Sequence, residues 1–265
     1  MSSPDQSAPP ASADRPGPLS GPGPAAPELW LLRLSDLRDD GSGGASGLAV
    51  GELDADERSR ADAFVHEADR VRYAAAHIAL RRLLGAATGT PARELALVRE
   101  PCPCCGAPHG RPALADQYAA GGGAAGGGPL HFSLSHGGDL VLIGTAAVPI
   151  GVDVEALPGD AAVDDLASVL HPGERAELDA LPADLRVAAF AGIWTRKEAY
   201  LKGLGTGLGR DPALDYLGAT GLAPAPAGWT VTDLDVGPGH AAAFAVQGVP
   251  VGAARLRGLR PDFVR

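Results

Sequence analysis

The sequence contains very little lysine. Only two of its 22 basic residues are lysines, Lys197 and Lys202, and all the others are arginines. Lysine carries a compact charge with three donors on a flexible stem, which the planar fork of arginine does not reproduce. Because the two lysines flank Glu198, we favour a functional site at this position. The alternative is a surface helix with an incidental Glu198/Lys202 pair.

Cysteine is also scarce, and its distribution argues against disulfides. The three cysteines, Cys102, Cys104 and Cys105, fall within four consecutive positions. An odd number of cysteines packed this closely does not form the spaced, even-numbered framework of a secreted domain. A reducing cytoplasm is therefore the expected location.

Neither an excess of positive charge nor a long apolar run is present. The formal net charge is −10, with 32 acidic and 22 basic residues, which argues against a nucleic-acid or anionic-membrane partner. No run of 18 apolar residues occurs, so no membrane span is predicted. The N-terminus lacks a basic stretch followed by an apolar one, so no secretory signal is expected.

The pattern along the chain predicts an α+β protein with a disordered tail. Residues 1–27 are rich in Pro, Gly, Ser and Ala and have too few large apolar groups to offset the entropy of ordering. The apolar run at 28–34 predicts a first strand. We expect an N-terminal α+β half over residues 28–149 and a C-terminal α+β half over residues 150–265.

The N-terminal half contains two predicted helices with many arginines. Asp54 followed by Glu57 indicates a helix start with a capping box. A longer helix is predicted over residues 70–84, ending at Gly85. We interpret Arg81 and Arg82 as ordinary helix exterior, whereas Arg60 and Arg72 are candidates for anion binding, because polyanions need forked donors.

A cysteine-rich loop follows at residues 101–112, with the sequence PCPCCGAPHGRP. Cys102, Cys104, Cys105 and His109 could bind a metal, but structural zinc sites usually use two separated ligand pairs. We therefore favour a turn-rich loop with free thiols. Arg111, held in the rigid turn, is a candidate ligand contact.

Ordered structure is predicted to resume after a flexible Gly/Ala tract at 121–128. Strands are predicted at 131–136, 140–143 and 148–155. Alternation in the third strand places Asp153 and Glu155 on the same face. Ser135 and His136 are adjacent on an extended segment, so their side chains point in opposite directions and do not form a nucleophile–base pair.

The remaining sequence predicts three helices and then strands. The helices are expected near 163–170, 172–181 and 183–203, and the strands near 229–236, 241–246 and 251–256. Glu198 and Lys202 lie on one edge of the longest helix. A glycine-rich exit, GLGTGLGR, follows a helix instead of opening one, so it is neither a P-loop nor a dinucleotide fingerprint.

The carboxylates of this half suit a hard cation. Asp153, Glu155 and Glu198 supply only oxygen ligands, as Mg²⁺ prefers. Basic side chains around such an ion indicate a phosphorylated substrate. The alternative for Asp153 and Glu155 is the polar face of a half-exposed strand.

Three segments resemble the successive motifs of the Sfp-type 4′-phosphopantetheinyl transferases, in the W/KEA variant. They are FSLSHGGD (132–139), IGVDVE (150–155) and WTRKEAYLK (194–202). The segment HGRP (109–112) is similar to a further short element of that family. The resemblance covers about residues 54–210. The second and third motifs together are highly specific.

The resemblance implies a fold and a reaction. The fold would be two similar α+β halves about a pseudo-twofold axis, in a monomer with coenzyme A between the halves. The reaction would be transfer of 4′-phosphopantetheine from coenzyme A to a serine of an apo acyl or peptidyl carrier protein, releasing adenosine 3′,5′-bisphosphate. The high alanine, glycine and arginine content with scarce lysine suggests a GC-rich bacterial genome, which makes polyketide or nonribosomal peptide carriers candidate acceptors.

The resemblance also implies site residues. Mg²⁺, or Mn²⁺ in its place, would bind to Asp153, Glu155 and Glu198. Glu198 would act as general base, and Lys202 would neutralise the pyrophosphate. The expected coenzyme A contacts are Arg60, Arg72, Arg111, Ser135, His136, Lys197 and Lys202. For Lys197 we favour a role in positioning its helix or the nucleotide.

There are departures and alternatives. Gly137 stands where the family usually has serine, and Arg111 where many members have lysine. The cysteine cluster is not part of the family's catalytic pattern. The alternatives are a non-catalytic module that binds coenzyme A or carrier protein, and another Mg²⁺-dependent phosphotransferase.

Overall fold

The computed structural model describes residues 26–38, 47–119, 128–219, 225–248 and 254–265. Nearly all of the predicted tail (1–27) and of the Gly/Ala tract (121–128) lies outside these residues. The described strands are β1 (Glu28–Arg33), β2 (Leu97–Arg99), β3 (Pro112–Leu114), β4 (His131–Gly137), β5 (Leu140–Ala146), β6 (Ile150–Ala156), β7 (Trp229–Asp233), β8 (His240–Gln247) and β9 (Arg255–Leu259). The α-helices are α1 (Ser35–Arg38), α2 (Ala55–Asp62), α3 (Glu67–Thr88), α4 (Ala115–Ala119), α5 (Asp160–Ala167), α6 (Pro172–Asp179) and α7 (Ala183–Leu204).

Two sheets of matching topology confirm the α+β fold class. One sheet has the order β4-β5-β1, with β9 added at its edge, and the other has the order β6-β8-β7. In each half a strand leads through two short α-helices to a 22-residue helix, α3 or α7, and later to an antiparallel pair. β1 thus corresponds to β6, and the hairpin β4–β5 corresponds to β7–β8. This repeated order agrees with the expected pseudo-twofold relation.

The last strand returns to the first sheet. β9 pairs with β1 in parallel, with Glu28 opposite Arg255. The following 3-10 turn (Pro261–Val264) buries Val264 completely in the N-terminal core. The last residues of the predicted C-terminal half (150–265) therefore pack with the N-terminal sheet and its core. The boundary near residue 150 stays a prediction.

The long helix of the N-terminal half ends later than predicted. α3 runs past Gly85 to Thr88 and is terminated by Gly89, whose φ is +73°. Gly89 adopts the left-handed conformation that commonly ends helices and that glycine takes without a steric penalty. Gly85 is needed for a different reason, because a Cβ there would lie 2.7 Å from the Thr90 carbonyl oxygen.

Arg81 is buried, so its interpretation as helix exterior is wrong. Its side chain is 0% exposed and donates to Glu57 at 2.6 Å and to Asp54 at 2.5 Å. Both acids belong to the start of α2, where the predicted capping box is confirmed. Arg82 is also paired, with both guanidinium arms on Glu52. Buried arginines of this kind require such partners.

The core between the sheets brings β6 next to the first sheet. Val152 and Val154 pack with Leu140 and Leu142 of β5 in one buried cluster. The face of β6 with Gly151 and Asp153 is therefore turned towards α7. None of the helices in the described part of the chain combines the length and apolarity that a bilayer crossing needs.

Candidate active site

A glycine on β6 lets α7 approach the strand unusually closely. A Cβ on Gly151 would lie 1.9 Å from the Ala199 carbonyl oxygen and 2.4 Å from the Gly203 nitrogen. Real Cβ atoms do not make such contacts, so any larger residue would push the helix away. This approach places Glu198 and Lys202 of α7 beside the carboxylates of β6.

Asp153 lies at the centre of the resulting cluster. It is 1% exposed, and its Oδ1 accepts hydrogen bonds from Lys202 Nζ at 2.6 Å and from Ser135 Oγ at 2.8 Å. Its second oxygen, Oδ2, is buried and has no hydrogen-bond partner among the residues that the structure describes. A buried carboxylate oxygen without a partner is costly, so this atom is a candidate ligand for a cation.

The other two acids of the cluster have raised pKa values. Burial, and then the nearby charge of Asp153, raise the pKa of Glu155 to about 7, although Lys202 opposes the shift. The pKa of Glu198 is raised mainly by burial, and Lys202 opposes this shift as well. Burial and like charges both disfavour an ionised carboxylate. One ammonium group therefore does not fully compensate these acids.

The donor set fits a magnesium ion. Three carboxylates, one with a buried oxygen that has no partner among the described residues, lie near the Lys202 ammonium, which does not fully compensate their charge, and Mg²⁺ prefers oxygen ligands. The oxygens of these three carboxylates are not all within 4.8 Å of one another. Within the described residues, the ligand atoms of Cys102, Cys105 and His109 do lie that close together. Lys202 interacts with all three acids.

Serines of β4 connect the two halves at this point. Ser133 Oγ accepts from the Val152 backbone N–H at 3.0 Å, while Ser135 is shared between Asp153 and Lys202. His136 points the other way and is exposed, as its adjacency to Ser135 predicts. Partial burial and the charge of Arg72 lower the pKa of His136.

The predicted anion-binding arginines of the N-terminal half are close to this edge but already have partners. Arg72 Nε donates to the Gly138 carbonyl at 3.0 Å and Nη1 to Asp69 at 2.7 Å. Arg60 is exposed on α2, where its side chain hydrogen-bonds to Tyr73. Arg72 thus lies at the turn after His136, whereas Arg60 lies against α3.

Arg111 braces the end of α7. Its Nε and Nη2 donate to Glu100 at 3.1 and 2.9 Å, and its Nη1 donates to the Gly203 carbonyl at 3.0 Å. The last carbonyls of a helix have no partner within the helix, and Arg111 satisfies one of them. Through the Gly203 contact, Arg111 stabilises the end of the helix that carries Lys202.

The structure does not bring Lys197 to the cluster. Its side chain is 2% exposed and pairs with Glu174 of α6 at 2.8 Å. It also donates to the backbone carbonyls of Pro212 and Asp215. The three donors of the ammonium thus have protein partners, which favours the expected role in positioning the helix over a direct contact with coenzyme A.

Glycines are the site residues that the sequence reasoning missed. Gly151 and Gly203 form the contact between α7 and β6. At Gly137, where the resembled family usually has serine, a Cβ would lie 2.5 Å from the Val154 carbonyl oxygen. In this chain the position therefore has no room for a side chain. Glycines interrupting an otherwise buried strand and helix were the available signal.

Known proteins share this sequence pattern. Residues 149–233, which contain β6, α7 and β7, match the model of the 4′-phosphopantetheinyl transferase superfamily. The chain is 32% identical over 230 residues to the 4′-phosphopantetheinyl transferase HetI of Nostoc sp. PCC 7120, covering 83% of this chain and 87% of HetI.

Shorter matches lie within the same family. The 4′-phosphopantetheinyl transferase AcpT of Escherichia coli is 38% identical over 96 residues, which is 36% of this chain and 44% of AcpT. The 4′-phosphopantetheinyl transferase of Bacillus subtilis is 32% identical over 80 residues, which is 30% of this chain and 35% of that protein.

Proposed function

The chain belongs to the 4′-phosphopantetheinyl transferase superfamily, and on that premise we propose that it transfers phosphopantetheine from coenzyme A with the help of Mg²⁺. The acceptor is a serine hydroxyl of an apo carrier protein, and the second product is adenosine 3′,5′-bisphosphate. The observation that carries this proposal is the cluster of Asp153, Glu155 and Glu198 around Lys202, on two elements held together by Gly151.

The reaction exchanges one phosphorus–oxygen bond for another. The carrier serine oxygen attacks the phosphorus that bears the pantetheine arm. The bond from that phosphorus to the bridging oxygen of the pyrophosphate breaks, and adenosine 3′,5′-bisphosphate leaves with the bonding electrons. The serine proton passes to a base. Such transfers depend on positioning and on charge stabilisation of the transferred group.

Asp153, Glu155 and Glu198 would hold Mg²⁺. Two observations support this set: Asp153 Oδ2 has no partner within the described part of the chain, and the two glutamates have raised pKa values. When bound, the ion supplies positive charge to the pyrophosphate oxygens. Mn²⁺ would serve in its place, since both ions accept carboxylate oxygens.

Lys202 and Glu198 are the proposed catalytic residues. The Lys202 side chain is 30% exposed, so its ammonium can reach a bound phosphate while its other donors stay on Asp153 and Ser135. It would stabilise the charge that develops on the leaving pyrophosphate oxygen. Glu198 would accept the serine proton directly or through water, and its raised pKa makes it a stronger base.

The edge with Ser135, His136 and Arg72 is the proposed binding region for the remaining coenzyme A phosphates. His136 is exposed beside Arg72 and within the electrostatic reach of Lys202. Arg60 would contribute from α2, and Arg111 would act by holding α7 in place. Coenzyme A, the carrier protein and a monomeric enzyme in the cytoplasm complete the proposal, with polyketide or nonribosomal peptide carriers as acceptors.

The test is a transfer assay. The enzyme is incubated with coenzyme A, Mg²⁺ and a panel of apo carrier domains, and each carrier is weighed by mass spectrometry. A mass gain of one phosphopantetheine, mapped to a single serine, together with chromatographic detection of adenosine 3′,5′-bisphosphate, is expected. No mass gain on any carrier, with the enzyme folded and coenzyme A intact, would contradict the proposal.

A further inference from the structure

The loop between β2 and β3 is folded into a tight knuckle. Cys102 N donates to the Ala107 carbonyl and Gly106 N donates to the Cys102 carbonyl, each at 2.8 Å. Gly106 has a φ of +74°, a conformation that residues other than glycine rarely adopt. The loop is therefore bent back on itself, so that residues close in sequence present their side chains to a common point.

Three metal-ligating side chains converge in this knuckle. The sulfurs of Cys102 and Cys105 and a ring nitrogen of His109 all lie within 4.8 Å of one another. Cys105 Sγ and His109 Nε2 are 3.0 Å apart. A tetrahedral zinc, with Zn–S of about 2.3 Å and Zn–N of about 2.0 Å, holds such atoms roughly 3.5–3.8 Å apart. Only small side-chain adjustments separate the cluster from this geometry.

Geometry distinguishes Cys102 from Cys104, its neighbour two positions along the chain. Among the described residues, the ligand atoms that lie within 4.8 Å of one another belong to Cys102, Cys105 and His109, and Cys104 is not one of them. Cys102 is also buried, whereas Cys104 is exposed. The folded loop therefore directs the Cys102 sulfur, and not that of Cys104, towards the common point.

We propose that Cys102, Cys105 and His109 bind one zinc ion, with water as the fourth ligand. Two thiolates and one imidazole are soft and borderline donors that suit zinc and not magnesium. Cys105 and His109 are exposed, which leaves room for the water. The three ligands can be close in sequence because the fold of the knuckle brings His109 next to the two cysteines. No second ligand pair from a distant segment is needed.

The position of the knuckle indicates a structural role. A Cβ on Gly209 would lie 3.9 Å from Cys102 Sγ, so the knuckle packs against the segment that follows α7. Arg111, two residues after His109, holds the Gly203 carbonyl. A zinc ion would fix this loop against the end of the catalytic helix.

The experiment measures metal on the full chain, purified without a polyhistidine tag and under reducing conditions. Zinc content is determined by mass spectrometry, and the apo protein is titrated with Zn²⁺ and with Co²⁺, whose thiolate charge-transfer and visible bands report ligand type and geometry. We expect about one zinc per chain and tetrahedral cobalt bands. The variants are C102S, C105S and H109N, with C104S as the matched control.

The outcomes separate the zinc site from its alternatives. Loss of an outer-shell partner typically lowers metal affinity 10- to 100-fold. Each of the three ligand variants should lower zinc affinity by more than this, whereas C104S and E198Q should bind zinc as the wild type does. Wild-type protein without zinc and without cobalt bands would overturn the proposal. A Cys102–Cys105 disulfide in protein purified without reductant, or unchanged affinity in C102S, would also overturn it. None of these readouts depends on transfer activity.

Discussion

Lys197 in α7 occupies the position that Arg81 occupies in α3. Both helices have 22 residues, and each of the two cations lies the same distance before the left-handed glycine that ends its helix, Gly205 or Gly89. Both side chains are almost completely buried. The two halves thus share an internal cation at equivalent sites, although no sequence repeat links them.

The partners of these cations also correspond. Arg81 pairs with Glu57 and Lys197 pairs with Glu174, each the third residue of the preceding helix and part of its capping box. In each half a buried ion pair therefore joins a short helix to a long one. The scarcity of lysine drew attention to both Lys197 and Lys202. Of the two, Lys202 belongs to the acid cluster and Lys197 does not.

We predict that K197M destabilises the protein by about 3–5 kcal/mol, because removing one partner leaves the fully buried Glu174 uncompensated. Denaturant unfolding measures the change. The double variant K197M/E174Q should recover part of the loss. Wild-type stability in K197M, combined with weaker coenzyme A binding, would place this lysine in the substrate site instead.

K202A should lower turnover by roughly 10²- to 10³-fold, as expected when one charge-stabilising donor is lost. Its side chain is partly exposed, so stability should change less than in K197M. Transfer rates at saturating coenzyme A and unfolding midpoints are measured for both variants. A K202A enzyme that transfers at nearly the normal rate would remove this residue from the mechanism.

E198Q should lower turnover by about 10²- to 10⁴-fold, the range for a lost general base. The amide keeps the size of the side chain, so the fold should be unaffected. Single-turnover mass spectrometry of the carrier measures the effect, and E67Q, at an exposed position of α3, is the matched control. Equal rates in the two variants would contradict the role of Glu198.

G151A should move α7 away from β6, because the added Cβ meets the Ala199 carbonyl at 1.9 Å. Overpacking of this kind costs about 1–3 kcal/mol or more, and the Lys202–Asp153 contact should lengthen. Thermal unfolding and transfer rate are both expected to fall. G51A, where a Cβ meets nothing within 4 Å, should leave both unchanged.

Chelation of divalent ions should abolish transfer, and Mg²⁺ should restore it, since three neighbouring carboxylates have only one ammonium to compensate them. D153N, which removes the buried acid, should raise the Mg²⁺ concentration needed for half-maximal rate. Full activity in chelator, checked with metal-free buffers, would argue for a metal-independent reaction.

Local sequence patterns predicted the elements around the site well. Alternation placed Asp153 and Glu155 on one face of β6, and helical spacing placed Glu198 and Lys202 one turn apart on α7. The capping box at Asp54 was found from two residues alone. These features depend on neighbours in the chain, which a sequence displays directly.

Features that depend on distant residues were not predictable. Arg81 looked like helix exterior because its partners come from another helix. Lys197 looked like a site residue for the same reason. Cys102, Cys105 and His109 are closer in sequence than the ligands of a usual zinc site, and only the folded turn shows that their side chains converge.

The return of β9 to β1 also limits how the protein can be divided or made. A gene fragment that stops near residue 150 would encode a first sheet whose outer strand β1 has no edge partner, and exposed edges invite aggregation. On the ribosome, β1 must wait for nearly all the later residues to be synthesised before this pairing forms. Long-range strand pairing is slow, so the two halves should behave as one folding unit.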